Sequence, residues 1–525
     1  MHDQSIKSPE EPANSSCFYF DTKHVNIGHL KIPKWSPDTT TNFAGEAVLL
    51  CLPMNLAGRG ATTQLKQAYA GFARLLENSR VLFKYIGPVI KTTEALYEGL
   101  TRPFVEIESA SDISSAYQQS QAAFTKAFEL LSKQGIRNLV IICIGYAAVG
   151  PFSINRALEM LKAAGKISPL TKAAVCLVHS TYPDTDFIDK RVSEEGWPLS
   201  RFYSQAYAAA EHMQTFFMVT SSYNFNIDIL NLRAPEAMSG ATVIAPPFSI
   251  EMVDNLIAAG KNGKSKDLSV LYPKIPGLKL YSPSDLLIPL VTSNIWNRQA
   301  IDQWMTAEQY HTCVVGIHNL LRAYYIVAQT LKRRILVPVC NSIVDFIGSL
   351  GVPGVSVLDN STNPIPLHEG QVIVCGHEEL GYTEHAYLLG AADLAVSRTG
   401  GQANANAILA LTNTPVLVVE MPGKGYMQNE LTSLLMEYDI LADSSGYLHR
   451  QTRSQPLGWV SEWSWSKDRL AKIMLQILGS KQEREQRSYA AFKAFINLYN
   501  SEEGNFYTRI INMSMQEKIV TNNIG

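Results

Sequence analysis

The stretch Leu388-Leu389-Gly390-Ala391-Ala392-Asp393-Leu394-Ala395-Val396-Ser397-Arg398-Thr399-Gly400-Gly401-Gln402 is followed by an alanine-rich run to Leu411. Thr414-Pro415-Val416-Leu417-Val418-Val419-Glu420 and then Met427-Gln428-Asn429-Glu430 come next. It reads as a helix end, a buried strand over Leu394 to Ser397, a Gly-Gly turn and a helix from about Gln402. A second buried strand over Pro415 to Val419, a loop and a helix from about Gln428 complete it. The strand runs are continuously apolar instead of alternating, the pattern of strands covered on both faces of a parallel sheet.

Two strand-to-helix units side by side have a chemical consequence. A Gly pair at the carboxyl end of a strand lets the backbone approach a ligand closely. The following helix then turns its free N–H groups and positive dipole end toward that point. This is an anion site, best matched to a phosphate or diphosphate. In a parallel sheet the crevice outside the strand carboxyl ends is where ligands bind, so Ser397 to Gln402 and Met421 to Glu430 are expected to face one pocket.

The run Ala392 to Gly401, then Pro415 to Val419, then Gln428-Asn429 resembles the donor-binding half of GT-B nucleotide-sugar glycosyltransferases of the MurG and UDP-glycosyltransferase type. The resemblance covers roughly Gln371 to Asp443. It implies an α/β chain with two Rossmann-like, doubly wound domains facing a cleft. In that family the Gly turn and helix end hold the donor diphosphate, an acidic helix residue holds the ribose, and a Gln or Asp-Gln after the next strand holds the sugar. The donor-binding residues implied here are Ser397, Thr399, Gly400, Gly401, Gln402, Gln428, Asn429 and Glu430. The acidic position falls at Asn406, a departure that bears on ribose recognition. No cofactor beyond the nucleotide sugar is implied.

Outward from this centre, a chain of 525 residues exceeds what one core organises and predicts two domains. Hydrophobic residues at 46% and charged residues at 18% leave material for two cores. A formal net charge of −2 gives no global field to recruit nucleic acid or an anionic membrane. The best local basic run, Lys332-Arg333-Arg334, stands where cations answer a helix dipole. Seven cysteines, an odd count without C-x-x-C spacing, argue against a disulfide framework or a zinc site and for a reducing, cytoplasmic compartment. No signal core or membrane span is evident, although an export route that leaves no classical signal stays open.

The expected organisation is an extension over 1–44, an acceptor-side domain over 45–258 and an exposed linker over 259–289. A donor-side domain over 290–475 and carboxyl-terminal helices over 476–525, crossing back to the first domain or packing on their own, complete it. The linker reading rests on Gly260-Lys261-Asn262-Gly263-Lys264-Ser265-Lys266, which lacks the spacing and preceding strand of a P-loop. In the first domain, strand Ala47 to Leu52 leads into Asn55, Gly58, Arg59, Gly60 and Thr62, an acceptor-side loop or simply a tight turn. Strands at Val81, Asn138, Ala173, Phe216 and Ala241 alternate with helices. In the second, a strand over Cys313 to Ile317 is expected to present Gly316 and His318 at its end to the donor.

Candidate chemistry follows. His179 ends a strand, and its ordinary pKa suits a general base; Asp184 follows in the same loop and either orients it or replaces it. His377-Glu378-Glu379 follows another strand but lacks the second His of a zinc protease motif. Asp184-Thr185-Asp186 is a lone D-x-D, so no metal is assigned. Transfer of a sugar, with a UDP-sugar as the expected donor, to an acceptor that is a glycan, lipid, protein or small molecule is the leading function. Epimerisation of the donor sugar and a non-catalytic binding protein of the same fold are the alternatives.

Overall fold

Strand β1 (Ala47–Cys51) is buried at every position, and its period of two sends Ala47, Leu49 and Cys51 to one core and Val48 and Leu50 to another. The computed structural model describes residues 46–52, 59–77, 79–92, 95–108, 113–144, 149–179, 214–219, 242–291, 307–358, 368–378, 380–398, 403–420, 459–462, 467–501 and 504–515. Within these, β1 joins β2 (Leu82–Gly87), β3 (Val105–Glu106), β4 (Asn138–Ile144), β5 (Lys172–His179), β6 (Gln214–Val219) and β7 (Thr242–Val243). The sheet runs β3-β2-β1-β4-β5-β6-β7, with every pair parallel. This order reverses between β1 and β4.

Helices cover both faces. On one, Phe124, Phe128 and Leu131 of α2 (Ile113–Lys133) and Ile154 and Leu161 of α3 (Val149–Ala163) meet Leu49 and Cys51. On the other, Leu65, Ala68 and Phe72 of α1 (Arg59–Leu76) meet Leu50 and Ile142. Each fully buried phenylalanine contributes about 1.5–3 kcal/mol of apolar burial.

The second body is built around Leu286 to Val291. Its first half, β8 (Leu286–Leu287), pairs with β10 (Ile335–Cys340), and its second half, β9 (Leu290–Val291), pairs with β13 (Ala395–Arg398). Pro289 stands between, with no N–H to give a ladder, while its carbonyl accepts from Val396 N at 3.0 Å. The shared strand joins two ladders into one parallel series. β11 (Val355–Leu358), β12 (Val372–His377) and β10 lie on one side; β13, β14 (Val416–Glu420) and β15 (Trp459–Glu462) lie on the other.

Helices α5 (Ala307–Leu331), α6 (Asn341–Ser349) and α9 (Lys467–Gly479) cover one face. The other face takes α4 (Ile250–Gly263), α7 (Tyr382–Ala391), α8 (Ala403–Leu411) and α10 (Lys481–Asn500). An α/β chain with two parallel, helix-flanked sheets is therefore the observed fold class.

Two expectations are corrected. Residues 259–289 are not an exposed linker: they hold the end of α4, two 3-10 turns and β8, with Leu268, Leu271, Ile275 and Leu278 buried against Leu336 and Ile373. Gly260 and Gly263 are helix-packing residues that let α4 touch Thr412, Gly390 and the Tyr387 carbonyl. Nor do Cys313 to Ile317 form a strand. They lie within α5, whose apolar positions Ile317, Leu320, Leu321, Tyr324, Val327 and Ala328 recur at helical spacing against the sheet.

The basic run is occupied structurally. Arg333 donates to Asp285 O at 2.8 Å, and Arg334 grips the Asp285 carboxylate through Nε at 2.8 Å and Nη2 at 2.6 Å. After α10 the chain returns to the first body, where Phe506, Tyr507 and Ile510 of α11 (Phe506–Met515) enter the core containing Leu65 and Phe72.

Candidate functional site at the strand carboxyl ends

In the second body the chain leaves the β8–β9 strand for β10 on one side and later returns to β13 on the other. The crevice outside the carboxyl ends at such a reversal is the natural ligand position. Strand β13 ends at Arg398 and α8 begins at Ala403, so Thr399, Gly400, Gly401 and Gln402 join that strand end to a helix amino terminus. Ser397 lies in β13 opposite Val291 and Val418 in register, and Asn406 lies in the first turns of α8. The side chains of Ser397 and Asn406 fall outside the described residues, as do Thr399 to Gln402 and Gln428, Asn429 and Glu430 entirely.

Asp393, inside the same motif, has a structural role. One carboxylate oxygen accepts from Leu287 N at 2.9 Å and the other meets Lys266 Nζ at 2.7 Å, which pins the central strand to the segment after α4.

Gly316 and His318 do not reach a strand end. They sit about ten residues into α5, some 15 Å along its axis at 1.5 Å per residue, with Gly316 buried and His318 half-buried on the helix. The short apolar run that suggested a strand is one segment of a longer helical stripe.

Sequence reasoning placed His377 after a strand, at what is the end of β12, but missed the groups at the end of β10. Cys340 precedes α6 without a side-chain cap hydrogen bond, so the first N–H groups of that helix, which have no intrahelical acceptor, stand at the carboxyl end of β10. Beside it Gly376 leaves room for Asn341: a Cβ on Gly376 would lie 2.2 Å from Asn341 Oδ1. His377, opposite Cys340 in register, has Nδ1 2.7 Å from Glu378 O. Burial lowers its pKa, against the opposing effect of that hydrogen bond. Burial also pulls His385 on α7 down to about 4, with the neighbouring His377 charge adding to the effect. Both imidazoles are neutral at pH 7. The available signal for Asn341 was its place directly after an apolar strand.

In the first body the reversal lies between β1 and β4, whose last residues Cys51 and Ile144 mark the corresponding crevice. Asn55 and Gly58 lie outside the described residues. Arg59, Gly60 and Thr62 belong to the first turns of α1 instead of a loop, because the helix whose apolar face is Leu65, Ala68 and Phe72 extends back to Arg59. His179 ends β5 opposite Val219; its side chain and Asp184 lie outside the described residues. Among the described residues no group of three His, Cys, Asp or Glu side chains could hold a metal, and no helix is long and apolar enough to cross a membrane.

No protein-family model and no curated protein matches the sequence. Among solved structures, the chain is similar to MurG of Acinetobacter baumannii at 10% identity, covering 85% of this chain and 95% of that one with a TM-score of 0.41. It is similar to UDP-GlcNAc 2-epimerase of Neisseria meningitidis, solved with UDP-GlcNAc, at 10% identity, 86% and 97% coverage and a TM-score of 0.43. A third is Os79 of O. sativa in complex with UDP, at 11% identity, 89% and 99% coverage and a TM-score of 0.44.

Proposed function

We propose that the chain is a glycosyltransferase of GT-B type, which moves a sugar from a nucleotide-diphosphate sugar, a UDP-sugar by preference, to an acceptor nucleophile. The observation that carries this reading is the placement of the Gly400-Gly401 segment between the end of β13 and the start of α8, beside the strand where the sheet order reverses. Departure of a nucleoside diphosphate needs its growing negative charge stabilised. Backbone N–H groups at a helix start, with Ser397, Thr399 and Gln402 nearby in sequence, supply that stabilisation without a proton being moved.

The remaining roles follow from this placement. Gln428, Asn429 and Glu430 would meet sugar hydroxyls, and Asn406 would stand at the ribose. His179, at a strand end of the first body, would take the acceptor proton while Asp184 orients the imidazole.

The test is a thermal-shift screen of the full chain against UDP-, GDP-, dTDP- and ADP-sugars, repeated with Gly401→Val. Stabilisation by one nucleotide class and its loss in a folded Gly401→Val variant are expected, because a branched side chain blocks close backbone approach. No stabilisation by any of the four would remove the donor assignment. A new sugar nucleotide formed without acceptor would mark an epimerase instead.

A further inference from the structure

The two bodies are joined by two crossings, and the contacts there are unusually specific. The first crossing, Ile244 to Ser249, carries the chain from β7 to α4; the second runs from Tyr499 to Phe506. Ala245 N donates to Gly504 O at 2.7 Å, which binds the crossings to each other. Two successive carbonyls of the first crossing are then held from opposite bodies. Phe248 O accepts from Tyr499 of α10 at 2.8 Å, and Pro247 O accepts from Tyr507 of α11 at 3.0 Å. Phe248 belongs to the core of the second body, as Ala245 does, whereas Ile244 and Tyr507 belong to that of the first, so the change of core falls between Ile244 and Ala245 and the Tyr507 phenol reaches across it to Pro247 O.

Tyr507 has a second acceptor. Its phenol also lies 3.2 Å from Gln67 O on α1. A phenol has one hydrogen to donate. Burial pushes its pKa well up, so that hydrogen stays in place. The ring sits in a notch made for it: a Cβ on Gly71 would come 2.0 Å from the Tyr507 oxygen. Phe72 packs edge-on at 5.2 Å.

We propose that Tyr507 is a one-proton latch on the hinge, its phenol donating to Pro247 O in one relative orientation of the two bodies and to Gln67 O in another. In both states α11 keeps its seat on α1; only the bond into the hinge is given up. Tyr499 holds Phe248 O and acts as the fixed side of the pivot. The other contacts across the boundary suit such a motion. Arg74 of α1 pairs with Glu251 at the start of α4, both exposed, and Gln67 Nε2 lies 3.2 Å from Met252 Sδ. The Gln67–Met252 contact is half-buried, and the exposed Arg74–Glu251 pair reforms in a new position at little cost.

The experiment measures the interbody distance on the full chain. Spin labels at the exposed positions Glu159→Cys and Asp345→Cys report it by double electron–electron resonance, with the signal of the native thiols subtracted from the unsubstituted chain. Tyr507→Phe removes the hydrogen and keeps the ring. It is expected to broaden the distance distribution and to speed amide exchange of α11 about tenfold, the equivalent of one lost hydrogen bond, while α2 and α3 exchange as before. Tyr499→Phe should leave the exchange of α11 unchanged. An unchanged distance distribution in Tyr507→Phe overturns the latch, whatever happens to stability. Should that variant fail to fold, Gly71→Ala, which keeps the phenol but fills its notch, is read by the same two outcomes.

Discussion

Gly390 of α7 lies with its Cα directly against the carbonyl of Gly260 in α4, so close that a Cβ built on it would stand 2.1 Å from that oxygen. The same crossing brings Gly263 to the Tyr387 carbonyl, 2.2 Å from where its Cβ would be. Because both obstacles are backbone atoms, neither can swing aside. Gly390→Ala is therefore expected to destabilise the second body by about 3 kcal/mol or more, above the usual overpacking cost. A urea midpoint equal to that of the parent chain would contradict this packing.

A second prediction concerns Asp285 and Arg334, which meet below the sheet with the Asp285 side chain 3% exposed and that of Arg334 16% exposed. Removing one partner leaves a buried charge without its counterion. Asp285→Ala should cost about 3–5 kcal/mol, whereas a double replacement by apolar residues should cost much less. Denaturant titration of the single and double variants checks both.

Acid should weaken the fold through His385. Its folded pKa of about 4 lies below the ordinary histidine value of 6.5, so the unfolded chain takes up a proton first as pH falls. Stability is complete above the unfolded pKa, declines between about 6.5 and 4, and changes no further from this group below that. The loss is on the order of 2 kcal/mol after allowing for partial solvent access. His385→Gln should flatten the decline, as read from melting temperatures across that window.

If the proposed reaction holds, His179→Ala should lower turnover by about 10²- to 10⁴-fold and leave donor affinity nearly unchanged, because the donor is held by the other body. Asp184→Asn should lower it less if that carboxylate only orients the imidazole. Steady-state kinetics beside donor titration separate the two parameters, and full activity in both variants would exclude the loop from the chemistry.

The strands that are buried on both faces were readable as short unbroken apolar runs between turn residues. Ile335 to Cys340 is such a run, buried from Ile335 to Val339, and the half-buried edge strand Val355 to Leu358 carries the same apolar mark apart from Ser356. Cys313 to Ile317 was misread because a short apolar run has no period of its own; only with Leu320, Tyr324 and Val327 does the helical stripe emerge. Gly260 and Gly263 carry the composition of a linker, and their packing role depends on Gly390 and Tyr387, more than a hundred positions away in sequence. The Gly400-Gly401 segment was legible as a strand-to-helix junction, and its described ends lie beside the reversal of strand order. The register of His377 against Cys340, and the space that Gly376 leaves for Asn341, belong to tertiary structure and carry no mark in local sequence.

The strand interrupted at Pro289 also sets the order in which this protein can be made. Neither ladder of the second body has its inner neighbour until Leu286 to Val291 is in place, and its partners Ile335 and Val396 arrive later in the chain. During synthesis Leu286-Leu287 must therefore wait, apolar and unpaired, while α5 emerges, and Leu290-Val291 must wait until β13 does. Long-range parallel pairing of this kind is slow and leaves sticky intermediates exposed. Expression at low temperature or with chaperone assistance should raise the yield of the second body far more than that of the first, whose central pair β1 and β2 closes over a single helix.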